Sequence, residues 1–173
     1  MSILIVLLRL IHIVAGAFWS GAAVAYFLFF APTAKGLGPA GPKFMQDLVG
    51  KQRYPVFMNV ASMLTILAGL ALYWFSSGGL TVAWLISGPG LGFTLGSLAA
   101  VAAFGVGFVG IRPRAERLGA LGSAIAAAGG PPTPEQRAEL GWLDAEMHAY
   151  ERWDVILLVV SLALMATARY WNF

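Results

Sequence analysis

Four stretches of the chain are almost unbroken apolar sequence, and the charged residues gather between them. Crossing the hydrocarbon core of a bilayer takes about 20 apolar residues in a helix. Segments at about residues 3–30, 55–75, 91–111 and 153–171 meet that length, so the pattern predicts four transmembrane helices. All nine prolines fall between these segments or at their ends, where a missing backbone N–H costs least. On that reading the first helix ends before Pro32 and the third before Pro113. The first run is long for the core of a cleavable signal and carries Arg9 inside it, so it reads as a retained helix.

The polar connection between the third and fourth segments has its own pattern. Thr133, Pro134 and Gln136 have the spacing of a helix start: an N-cap, a proline at the first helical position and the partner of a capping box. No proline follows, so one helix is expected to run from there through the membrane. Leu118, Leu121 and Ile125 before the turn, and Leu140, Leu143 and Met147 after it, recur at helical spacing. These features predict an antiparallel helical hairpin at about residues 114–152, turning at Gly129-Gly130-Pro131-Pro132. The fold class expected is all-α: a single membrane domain over residues 1–173, a four-helix transmembrane bundle with a cytoplasmic hairpin between helices 3 and 4.

Composition supports the membrane reading. Hydrophobic residues make up 59% of the 173 and charged residues 11%, too few to cover a water-facing surface. The net charge of +3 matters less than its distribution. Lys35, Lys43, Lys51 and Arg53 lie in the first connection, and Arg112, Arg114, Arg117, Arg137 and Arg152 in the third. The second connection has no charge. In a four-span chain the first and third connections share a side, and the positive-inside rule makes that side cytoplasmic. The expected location is the bacterial inner membrane, multi-pass, with both termini periplasmic. The absence of cysteine excludes disulfides, thiolate metal sites and cysteine nucleophiles. The basic residues form no stripe with interleaved aromatics, so nucleic acid is not an expected partner.

Small residues at four-residue spacing mark close helix contacts, because lipid offers no hydrophobic drive for association. The third segment has Gly92, Gly96 and Ala100 on one row and Ala99, Ala103 and Gly107 on another. The first has Gly16 with Ser20, and Ala17 with Gly21 and Ala25. These rows suit packing within the bundle, with one face left for another subunit.

One stripe of the first helix is not lipid-like: Arg9, His12, Gly16, Trp19, Ala23, Tyr26 and Phe30 recur at three- and four-residue steps. Ionisable side chains at membrane depth usually face protein or a cavity. Arg169 enters from the same side of the membrane, where no carboxylate neutralises either arginine. Arg9, His12 and Arg169 are therefore the candidate cofactor-binding residues. The arginines suit an anionic group such as a haem propionate or lipid phosphate, and His12 is the one candidate metal ligand. The plainer alternative has both arginines snorkelling to headgroups and His12 donating to a neighbouring helix. His148 lies at the opposite end of the bundle, which rules out a bis-histidine haem within one chain. Its neighbours Asp144 and Arg152 read as a row of exposed helix charges, and residues Glu135, Glu139 and Asp144 to Glu151 as a solvated face. Asn59 and Ser62 are expected to hydrogen-bond across helices.

Leu10-Ile11-His12 through Phe18-Trp19-Ser20-Gly21 resembles the first helix of the copper-resistance D proteins and of HemJ-type protoporphyrinogen oxidases. The wider chain, with Pro131-Pro132-Thr133-Pro134-Glu135-Gln136, is similar to uncharacterised bacterial four-helix integral membrane proteins. The first-helix resemblance implies a haem role for His12, with haem b as the cofactor, and nothing residue-specific elsewhere. The leading expectation is a non-catalytic membrane subunit or scaffold. Its partners would be membrane lipids and other membrane-protein subunits, in an assembly of the respiratory or photosynthetic kind. The alternative is a haem- or quinone-binding redox protein using His12 with Arg9 and Arg169.

Overall fold

A computed structural model describes residues 2–172, and every regular element among them is helical. Four helices are long and apolar enough to cross a membrane: α1 (Ile3–Gly36), α3 (Tyr54–Ser76), α5 (Gly88–Ala128) and α6 (Pro134–Tyr170). Two short ones sit in the connections, α2 (Gly41–Gln46) and α4 (Val82–Leu85). Successive long helices are neighbours, and α6 closes the ring against α1. The closest pairings are α1 with α3 and α5 with α6.

The core is one large ring among small residues. Trp19 and Ala23 of α1 meet Ala61 of α3, Ala103 of α5 and Leu158 of α6, all at most 7% exposed. Small side chains let the backbones approach, and Trp19 fills the space they leave. The row Gly92–Gly96 packs as its spacing predicts. A Cβ on Gly92 would lie 2.8 Å from the Ala168 Cβ, and the Ser161 hydroxyl donates to the Gly96 carbonyl at 2.8 Å. Gly16 faces Thr65.

Two predicted helix ends are corrected. Neither Pro32 nor Pro113 stops its helix. Each is preceded by a π-helical stretch, Tyr26–Phe30 in α1 and Val106–Ile111 in α5. Proline removes one N–H and crowds the carbonyl four residues back. The wider π turn opens the ladder there, with the Ala31 N–H on the Tyr26 carbonyl and the Arg112 N–H on the Gly107 carbonyl. The helices therefore continue to Gly36 and Ala128. The first connection is also mostly helical, ending in a third π stretch, Asp47–Lys51. There Lys51 and Lys43 both pair with Asp47 and hold its carboxyl below the usual range, the Lys51 hydrogen bond most of all.

The hairpin forms as its local signals predict. Gly129 takes a left-handed conformation (φ 67°) at the end of α5, and Thr133 and Gln136 make a reciprocal capping box at the start of α6. Leu143 is fully buried between the arms. Arg114 bonds Glu146 at 2.9 Å and lies over the Tyr150 ring, 4.1 Å from its centre, and Arg117 pairs with Glu139.

Candidate functional site

The stripe through His12 and Trp19 faces the inside of the bundle, since Trp19 and Ala23 lie in the core. His12 is half-buried against α3. Its Nδ1 lies 2.8 Å from the Thr65 carbonyl oxygen. A carbonyl only accepts, so Nδ1 carries a proton, and in the neutral ring Nε2 is then the nitrogen with the lone pair. The ring rests on Gly69, where a Cβ would fall 2.8 Å from the His12 Cε1. Arg9 and Arg169 are both exposed and form no ion pair among the described residues. The last turn of α6 packs on α5 instead, with Ala168 against Gly92 and Trp171 against Gly88. An open apolar groove of about 520 Å³ lies on the other side of the α1–α3 seam, lined by Ile11, Val14, Phe18, Phe57 and Val60 among others.

A second polar region lies at the hairpin end. Glu151 and Asp154 of α6 are 6% and 7% exposed, so Glu151 is not part of a solvated face. α1 covers it. The Tyr26 hydroxyl lies beside the Glu151 carboxylate, and Tyr26 stacks on Tyr54 with ring centres 5.6 Å apart. Tyr54 in turn donates to the Ala22 carbonyl at 2.8 Å. Asp154 makes no hydrogen bond or ion pair among the described residues.

His148 is exposed, as its row of helix charges suggests, and adds contacts that the spacing alone does not show. It stacks on Phe27 of α1 at 5.0 Å, and its Nδ1 is 3.8 Å from the Glu151 carboxylate. Asp144 pairs with Lys35 of α1 at 2.9 Å. Ser62 bonds the Asn59 carbonyl within its own helix and not a neighbour.

The sequence holds a signal for this region that its polar neighbours obscure. Residues 151, 154, 158 and 161 recur at inward helical spacing, and all four are buried. No protein-family model matches the chain, and neither a curated protein nor a solved structure matches it.

Proposed function

We propose that the protein is a non-catalytic integral membrane subunit that packs against other membrane proteins through the lipid-facing side of α1. One observation carries this reading. Of the glycines in the small-residue rows, Gly16 is filled by Thr65, Gly92 by Ala168 and Gly96 by Met165, whereas Gly21 and Gly107 have nothing within 4 Å of an added Cβ; the Gly107 row is already committed to the core through Ala103, which leaves the Gly21 row open. That row, Ala17–Gly21–Ala25, lies opposite His12, beside the exposed Phe18 and the groove between α1 and α3. Small residues on a lipid-facing row suit the close approach of a further transmembrane helix.

Gentle detergent extraction followed by native mass determination tests this. Wild type is expected to co-purify with a partner, and Gly21→Ile to lose it while the bundle stays folded. Wild type recovered as a lone monomer at native abundance overturns the reading. The same proposal puts the hairpin in the bacterial cytoplasm, from the clustering of lysine and arginine on its side. In the cysteine-free native chain, a cysteine at Gly130 should label from inside and one at Gly79 from outside.

A haem- or quinone-binding role is the second reading, favoured by the His12 tautomer. A metal-ligating histidine commonly donates its other ring N–H to a backbone carbonyl, and Thr65 provides one. His12 would be the single protein ligand, with Arg9 and Arg169 available to anionic groups. A Soret band lost in His12→Ala and kept in His148→Ala supports it. A preparation that stays colourless after haem addition removes it.

A further inference from the structure

We propose that Asp144, His148, Glu151 and Asp154 form a proton-entry row, leading from water on the hairpin side to Asp154, the proton-binding carboxylate at its inner end. The four are spaced four, three and three residues apart, so they share one stripe of α6. Exposure falls along it. The Asp144 and His148 side chains are each 49% exposed and that of Glu151 is 7%, while Asp154 as a whole residue is 7% exposed.

The groups facing the row change with depth. From α1 come Lys35 on Asp144, the Phe27 ring on His148 and the Tyr26 hydroxyl beside Glu151. From α3, Tyr54 lies near Asp154. On α5 the charged Arg114 turns to Glu146 and Tyr150 and leaves the row alone. The π stretch Tyr26–Phe30 begins at this lining, where the consecutive residues Tyr26 and Phe27 both reach α6. Lys35 supplies a cation at the mouth, and among the described residues none pairs with Asp154 at the inner end.

Asp154 is the second, independent observation. The residue is 7% exposed, and its carboxylate has no hydrogen-bond or ion-pair partner among the described residues; its oxygens are not sealed from outside, since the one fully buried unpartnered side-chain atom among those residues is the Arg114 Nε. A carboxylate so placed is expensive unless something neutralises it, and such groups mark ion and proton pathways. No group of three metal-ligating side chains occurs among the described residues, which favours a proton over a bound metal ion. Uptake turns one carboxylate and one hydronium into a carboxyl and a water, with no electron transfer. His148 and Glu151 relay the proton by their own gain and loss of it. Beyond Asp154 the row meets Leu158 and the Trp19 cluster, an apolar plug, so Asp154 exchanges with one side alone.

Dicyclohexylcarbodiimide, which reacts with protonated carboxyls in apolar surroundings, provides the test on full-length protein in lipid vesicles, read by peptide mass. The Asp154 peptide is expected to be labelled, with labelling falling about tenfold per pH unit on the alkaline side of its titration. Asp154→Asn should lose the label and Asp154→Glu keep it. Glu151→Gln should keep it but respond several-fold more slowly to a jump in hairpin-side pH. An unlabelled Asp154 in folded wild type, or labelling indifferent to pH, overturns the proposal. So does protection by sodium at fixed ionic strength, which would assign the site to a metal cation.

Discussion

Gly110 leaves no room for a side chain because the Tyr150 ring lies against it: a Cβ there would sit 2.3 Å from the Tyr150 Cδ1. The contact holds the last π turn of α5 against α6 where the hairpin leaves the bundle. Gly110→Ala is therefore expected to cost about 1–3 kcal/mol through overpacking. Thermal unfolding in detergent would measure it. In a Tyr150→Ala background the same change should be close to neutral, and the difference is the coupling between the two positions. Equal losses in both backgrounds would mean the ring lies elsewhere.

His12 and Gly69 make a second pair open to mutation. His12→Ala removes one hydrogen bond between helices, worth about 0.6 kcal/mol on average and up to ~1.7 in membrane proteins. Gly69→Ala should cost more, because the added methyl displaces the His12 ring as well as breaking that bond. If Gly69→Ala melts like wild type, the ring does not rest there.

The two arginine pairs of the hairpin differ in setting, and so should their variants. The Arg114 side chain is 19% exposed, stacks on Tyr150, and bonds Glu146 and the Gly110 carbonyl. Losing it should cost about 1.5–3 kcal/mol, as for hydrogen bonds to a charged group. The Arg117 side chain is 66% exposed, and its pair with Glu139 should be worth about 0–1 kcal/mol. Melting of Arg114→Ala and Arg117→Ala in low and high salt separates them, with salt sensitivity expected in the exposed pair.

Asp47 ties down the first connection in a pH-dependent way. Its carboxyl titrates below the usual value because Lys51 and Lys43 favour the charged form. The sign follows: the contribution is present at neutral pH and is lost as pH falls through the depressed titration point. Amide protection over residues 38–51, corrected for the intrinsic exchange rate, should fall in acid. In Asp47→Asn it should be low at every pH.

The long apolar runs made the four helices readable, and Thr133, Pro134 and Gln136 made the hairpin readable, because each of those signals acts within a few residues. The continuation of α1 and α5 through proline was not readable in the same way. Pro32 and Pro113 are local breakers; the π turns before them carry the helix past each proline, and the helix beyond packs on α6 through Lys35 on Asp144 and Arg114 on Glu146. Glu151 was hidden for a related reason. It stands among charged residues that do face water, and only the approach of α1 with Tyr26 and Phe27 takes it out of solvent. His12 was placed on the inward stripe by spacing alone, but its partner on α3 follows from the pairing of α1 with α3.

The π stretch at Tyr26–Phe30 also makes α1 unequally sensitive to the count of its residues. An α-helix advances about 100° per residue, and a π turn closes its hydrogen bond one residue later than an α turn does. Removing one residue from Leu28 to Phe30 would let the stretch close as ordinary α-helix, with Trp19 still in the core and Lys35 still turned toward Asp144. An inserted residue has no such slack and would swing everything beyond it by roughly that angle. A one-codon deletion there should therefore be tolerated, whereas a one-codon insertion should detach the two halves of the helix from their partners, even though every native side chain is still present.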